Sequence, residues 1–319
     1  MAINPPLTLS PDAEGMARAV ALLREGRLVA VPTETVYGLA ARADSEAAVA
    51  AIYRAKGRPD FNPLIVHVAD LAAARKLAVL DERAEALAAR FWPGPLTLVL
   101  PLREGGGLVP AVTAGLPTVA LRVPAHPLTR ALLAELGLPL AAPSANRSMG
   151  VSPTTPAHVA ASLSEGVAAI WDGGACAQGL ESTIVALREG GGWSLLREGP
   201  VTRAQIAAVL GSEPVEIAKG LDAPNRIESP GQMLRHYSPG KPVRLNAPEA
   251  AADEFHIGFG PVAGDCSLSS HGDLAEAAAR LYACLHQAAA APHPRIAVAP
   301  VPQEGIGAAI NDRLTRAAR

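Results

Sequence analysis

Short apolar runs alternate with helix-period segments through the first two thirds of the chain, and this alternation narrows the fold more than any other feature. The runs are "RLVAVP" (27–32), "PLIVHV" (63–68), "LTLVLP" (96–101) and "TVALRVP" (118–124). They are apolar at consecutive positions rather than at every second one, as in strands buried on both faces. Between them lie "DAEGMARAVALLREG", "SEAAVAAIYRA", "DERAEALAARFW" and "HPLTRALLAELG", whose apolar positions follow a helical period. Ser10-Pro11 reads as a helix cap followed by a first-turn proline, Gly26 as the stop of that helix, and Ser45 as the cap of the next. "LPLAAPSAN" (138–146) reads as a strand breaking into a loop. Further strands are expected near 168–171, 183–187 and 194–197, and helices over "TPAHVAASL" and "VTRAQIAAVLG". Interleaving of this kind indicates an α/β domain with a twisted, largely buried sheet and flanking helices.

The pattern stops near Gly211. Residues 212–242 contain Pro214, Pro224, Pro230, Pro239 and Pro242 with Gly220, Gly231 and Gly240, a composition that marks a linker. After it come strand-like "PVRLN", "EFHIGFG" and "RIAVAPVP", and helices over "DLAEAAARLYACLHQAAAA" and "GAAINDRLTRAAR". We read a first domain over 1–211, a linker over 212–242, and a smaller Rossmann-like α/β domain over 243–319.

Composition then removes several classes of function. The 319 residues are 49% hydrophobic and 3% aromatic, so the core rests on Ala, Val, Leu and Ile. A formal net charge of −2 argues against a dedicated nucleic-acid binder, which normally carries a basic excess. Cys176, Cys266 and Cys284 form no CxxC pair, so neither a disulfide framework nor a zinc module is indicated. The N-terminus lacks the basic-then-apolar pattern of a signal peptide, and no window is long and apolar enough for a membrane span. A soluble cytoplasmic protein is the expectation.

Five loop segments place polar groups beside strand ends: "PTETVYG" (32–38), "KGRPDFNPLIVHV" (56–68), "TVALR" (118–122), "APSANRSMGVSPT" (142–154) and "ESTIV" (181–185), the last followed by Arg197. Ligands of open α/β sheets bind outside the carboxyl ends of strands, and hydroxyls and amides with Arg and Lys suit phosphate oxygens. No P-loop, GxGxxG or GxSxG elbow is present, and "GGG" at 105–107 reads as a hairpin tip. Taken singly, Thr33 and Thr35 could cap a turn, and Ser144 and Asn146 could be turn residues after Pro143. Arg122 is harder to explain away, because a guanidinium inside an apolar strand needs an anionic partner. Only four lysines accompany 24 arginines, which gives Lys56 in its polar loop added weight.

In this order, these segments with "WPGPLTLVL" resemble the YrdC-like domain of threonylcarbamoyl-adenylate synthases. "SPGQMLRHYSP" (229–239) resembles the linker of the two-domain form, and "GIGAAINDRLTRAA" (305–318) the end of its second domain. Two departures stand out: Met149 precedes Gly150 where the family usually has glycine directly, and Gln232 to Leu234 differ from the usual linker pattern. The resemblance implies synthesis of L-threonylcarbamoyladenylate and pyrophosphate from L-threonine, bicarbonate and ATP. A partner transferase complex then carries the threonylcarbamoyl group to an adenosine of tRNA. It also implies the site. Threonine falls to Thr35, His67, Arg122, Ala142 (through its backbone) and Ser182. ATP falls to Lys56, Arg58, Asn62, Thr118, Ser144, Ser152, Arg197 and His236, with Lys56 and Arg58 as the catalytic cations and Mg2+ on the phosphates rather than in a protein cage. Arg235, His236 and Tyr237, set between Pro-Gly corners, read as a strap over the site. A rival reading is a double-stranded RNA or tRNA-binding module without catalysis, limited to a weak tRNA contact by the charge balance. Carbamoyl transfer in hydrogenase maturation is another, but its acylphosphatase unit and CxxC fingers are missing.

Overall fold

The computed structural model describes residues 5–163, 165–215, 228–232 and 236–319, so Arg235 lies outside the described residues. Ten strands form the first sheet: β1 (Leu7–Leu9), β2 (Leu28–Val31), β3 (Gly38–Arg42), β4 (Ile65–His67), β5 (Leu96–Pro101), β6 (Thr118–Arg122), β7 (Leu140–Ala141), β8 (Val167–Trp171), β9 (Thr183–Leu187) and β10 (Trp193–Arg197). Their order is β1-β8-β2-β3-β7-β4-β6-β5-β9-β10, with parallel and antiparallel pairs mixed. Helices α1 (Ala13–Arg24), α2 (Glu46–Lys56), α3 (Leu71–Leu77), α4 (Glu82–Phe91), α5 (Pro110–Thr113), α6 (Pro127–Leu136), α7 (Pro156–Ser162) and α8 (Arg203–Leu210) flank it.

Strand parity explains the consecutive apolar runs. In β2, Leu28 and Ala30 enter one core cluster while Val29 and Val31 enter another with α1 and α6. Such a strand has no solvent face, so alternation disappears. The half of the sheet beyond β7 differs. Its inner face, with Val66, Leu98 and Leu121, packs on helices. Its other face carries only a small cluster of Ile65, Val99, Ala120, Ile184, Ala186 and Leu196. That face is where polar residues find room.

Several local expectations change. Asp12, not Ser10, caps α1: its carboxylate accepts from the Gly15 amide at 2.8 Å, and Pro11 lies before the cap. An aspartate does this better than serine because its charge also meets the helix dipole. In the first domain the reading omitted β1, β3, α3 and α5. β3 is the short Ala-rich "GLAAR", held by its neighbours β2 and β7 rather than by strand propensity. The glycines at 105–107 lie in the β5–β6 connection, which also carries α5 and so is no tight hairpin.

The second sheet comprises β11 (Val243–Arg244), β12 (Glu254–Gly258), β13 (Cys266–Ser267) and β14 (Arg295–Val298), in the order β11-β14-β12-β13 and all parallel. Helices α9 (Leu274–Ala290) and α10 (Gly307–Ala317) cover it. This is the expected smaller Rossmann-like α/β unit. Among the described residues, no helix is long and apolar enough to cross a membrane.

Candidate active site

The open half of the first sheet builds the site by parity. His67 lies two residues after Ile65, Arg122 two after Ala120, Thr97 two before Val99, and Ser182 two before Ile184. Each therefore points to the face of the small apolar cluster. The parallel register pairs His67 with Arg122 at the carboxyl ends of β4 and β6, where α/β sheets bind ligands. A cleft opens there. All five residues assigned to threonine line it: Thr35, His67, Arg122, Ala142 and Ser182. Of those assigned to ATP, Arg58, Ser144, Arg197 and His236 line it as well.

One wall is a buried ion pair. The Nη2 of Arg122 donates to Glu34 Oε1 at 2.6 Å, its Nη1 to Thr35 Oγ1 at 2.9 Å, and its Nε to the Gly94 carbonyl at 3.1 Å. Glu34 Oε2 also accepts the Ala125 amide. Burial opposes the charge on Glu34, but Arg122 and these amides hold its carboxyl below the usual range. Arg122 thus has the anionic partner that its sequence position demands. Three of its hydrogen bonds are internal, and a guanidinium has five N–H donors, so two remain for a ligand. Thr33 donates to the Val36 carbonyl, which leaves Thr35 to donate to Thr33 at 2.9 Å.

Both ring nitrogens of His67 are buried without a hydrogen-bond partner among the described residues. Burial, and then the neighbouring Arg122, push its pKa well down, so the ring is neutral at pH 7. One nitrogen can donate and the other accept. Ser182 Oγ accepts from Arg197 Nη2 at 3.1 Å and shares a 2.7 Å hydrogen bond with Thr97.

The nucleotide-assigned residues are arranged less uniformly. Arg58 curls over its own loop, donating to the side chain and carbonyl of Asn62 and to the Pro63 carbonyl. Neither Arg58 nor Arg197 makes an ion pair among the described residues. Burial, partly offset by Tyr53, and repulsion from Arg197 bring Arg58 down to about 10. Thr118 does not line the cleft. It starts β6, where its partner in the antiparallel pair is Pro101 of β5. Lys56 is turned away: its ammonium donates to the carbonyls of Ser144 and Asn146, pinning the 144–146 loop to the end of α2. Burial, and then Arg58, push its pKa well down. Ser152 donates to Glu181 Oε1 at 2.5 Å instead of facing the cleft.

The linker reaches the site. Pro230, Gly231, His236 and Tyr237 line the cleft, and the Ser238 amide donates to the Met149 carbonyl at 2.9 Å. Met149 holds a left-handed φ of 71°, which accounts for glycine as the usual family residue there. Glu34, Thr97 and Glu181 were not singled out by the sequence reading. Glu34 could have been found by asking which carboxylate in the five loops answers Arg122. Nothing in the sequence pairs Thr97 with Ser182.

A family model described as "Telomere recombination" matches residues 21–199, and one described as "Threonylcarbamoyl-AMP synthase, C-terminal domain" matches residues 201–319. The threonylcarbamoyl-AMP synthase of Bacillus subtilis is 49% identical over 74% of this chain and 68% of its own length. That of Pyrococcus abyssi is 47% identical over 70% of this chain and 66% of its own length. The aligned segments therefore span about two thirds of these relatives. The crystal structure of P. abyssi Sua5 complexed with L-threonine superposes with a TM-score of 0.88 at 35% identity, covering 99% of this chain and 98% of that one. The chain belongs to the threonylcarbamoyl-AMP synthase family.

Proposed function

We infer that this chain condenses L-threonine, bicarbonate and ATP into L-threonylcarbamoyladenylate with release of pyrophosphate. The observation that carries this reading is the pair of guanidinium groups, Arg197 buried and Arg58 half-buried, that face one cleft without an ion-pair partner among the described residues. Two cations at one cleft with no ion pair among the described residues suit an anionic ligand, and a triphosphate supplies one. Beside them, hydroxyls, a neutral imidazole and a braced arginine fit an amino acid bearing a hydroxyl and a carboxylate.

In this reading the threonine carboxylate takes the two remaining donors of Arg122, His67 meets the amine, and Thr35 and Ser182 read the side-chain hydroxyl. The Ala142 backbone closes that subsite. The amine joins bicarbonate with loss of water to give a carbamate. A carbamate oxygen then attacks the α-phosphorus, the bond to the bridging oxygen breaks, and pyrophosphate departs. Such chemistry requires positioning and charge stabilisation, worth about 3–4 kcal/mol per well-placed donor, and no covalent nucleophile. Arg58 and Arg197 meet the phosphates, with Asn62, Thr118, Ser144 and His236 around the nucleotide. Lys56 and Ser152 act from behind, by holding the loop that carries Ser144 and the carboxylate beside Ser182. Glu181 at the cleft and Glu34 behind Arg122 are both ion-paired, and no group of side chains suited to a metal occurs among the described residues. In this reading magnesium enters as the counter-ion of ATP, held by phosphate and water.

The linker residues at the cleft act as a strap that excludes water from a carbamate and an acyl-adenylate, both of which water destroys. The product is an activated acyl group, so the next reaction is its transfer to an amine, assigned here to a transferase acting on tRNA in the cytoplasm. A weak tRNA contact by this chain belongs to the same reading. Pyrophosphate release measured with each substrate omitted in turn tests the proposal: it should need all three, and release that ignores threonine would overturn it.

A further inference from the structure

The core of the C-terminal domain does not end at its own sheet. Its apolar cluster takes in Val36, Val151, Leu180 and Tyr237 from the first domain and the linker. Each is the chain neighbour of a polar residue at or beside the cleft: Thr35, Ser152, Glu181 and His236. Residues 179–182 are one place of direct contact. A Cβ on Gly179 would lie 2.5 Å from the Ala279 backbone of α9, so this segment packs directly on that helix. The next polar residue, Glu181, is almost fully buried. Its Oε2 accepts from Arg313 Nε of α10 at 2.9 Å, and both its oxygens accept the Tyr282 hydroxyl of α9, at 3.0 and 2.8 Å. Arg313 has no exposed side-chain surface; it also donates to the Glu198 carbonyl at 2.8 Å and lies over the Tyr237 ring at 5.3 Å. It therefore touches Glu198, the residue after Arg197, and Glu181, the residue before the Ser182 that Arg197 hydrogen-bonds, and it also touches Tyr237 of the strap.

We propose that Arg313 and Tyr282 are positioning residues through which the C-terminal domain sets the Ser182–Arg197 edge of the cleft and seats the strap upon it. This rests on the reading of the cleft as the synthase site and gives the second domain a defined part in it. A buried pair broken on one side is strongly destabilising, whereas replacement of both partners by neutral groups is often tolerated. That difference separates positioning from bulk stability.

The test uses the full chain with Arg313→Met, Arg313→Lys, Tyr282→Phe and the double variant Glu181→Gln/Arg313→Met. Arg313→Met should lower Tm and raise the KM for threonine. The double variant should recover most of the Tm yet keep a threonine KM raised about tenfold, with kcat changed by less than about threefold. Tyr282→Phe should show a smaller KM rise at near-normal Tm, and Arg313→Lys a partial rescue. Amide hydrogen exchange at 180–182 and 236–238 should quicken in the double variant. Kinetics that recover together with Tm, or unchanged exchange at both segments, would overturn the proposal. Wild-type protein that releases no pyrophosphate would overturn the synthase reading instead, and the exchange measurement would still decide the clamp.

Discussion

Glu34→Ala probes the wall on which the threonine subsite rests. Glu34 and Arg122 side chains are only 9% and 4% exposed, and the carboxylate takes two donors, Arg122 Nη2 at 2.6 Å and the Ala125 amide at 3.0 Å. Truncation leaves a guanidinium uncompensated inside the protein, at a cost of about 3–5 kcal/mol. At about 2–4 °C per kcal/mol for a domain of roughly 150–250 residues, Tm should fall by about 6–20 °C. Glu34→Gln keeps an acceptor and the shape but loses the charge, and should cost about half as much. The same change frees Arg122 to turn, so the threonine KM of the surviving folded fraction should rise about tenfold or more, with a smaller effect on the KM for ATP. Calorimetry and pyrophosphate release at graded threonine concentrations measure the two effects. A Glu34→Ala variant within about 1 kcal/mol of wild type, or one whose threonine KM is unchanged, would refute the reasoning.

Burial lowers the pKa of His67, His158, His236 and His286, to about 4 for His158 and about 3 for His236. Their folded values lie below the unfolded value of about 6.5, so the unfolded chain takes up protons first as pH falls, and stability should decline from pH 7 toward pH 4. A Tm that is flat across that window would contradict this. Met149 is held at φ 71°, so Met149→Val should destabilise by about 1–2 kcal/mol in urea titration while Met149→Gly should not, and equal effects would remove the strain argument. Valine should lose to threonine by about four to five orders of magnitude in kcat/KM for pyrophosphate release, because the hydroxyls of Thr35 and Ser182 would face a methyl group; equal rates would sink that assignment.

The strands and most helices were legible because burial on both faces writes itself as continuous apolar runs, and because caps such as Ser45 are local chemistry. β3 was not legible: "GLAAR" has little strand propensity of its own and is fixed by its partners. The cleft residues were placed by resemblance, and their convergence follows from a parity the sequence does carry, with His67 and Arg122 each two positions from a residue of the same apolar patch. What a single sequence could not show is which groups the protein uses up internally. Lys56 looks like a phosphate cation in its loop, yet two carbonyls far along the chain claim its ammonium. Arg313 looks like a surface residue of a terminal helix, yet it is fully enclosed against Glu181. Such pairings join residues nearly ninety or more positions apart in the chain, where no local period or spacing reports them.

The most direct measurement of the central claim is incubation of the protein with ATP, L-threonine and labelled bicarbonate, followed by rapid chromatography. The account predicts a single labelled adenylate that carries both the threonine and the bicarbonate carbon, forms in step with pyrophosphate, and vanishes when any one substrate is left out. Pyrophosphate released without label in an adenylate, or label incorporated without threonine, would contradict it.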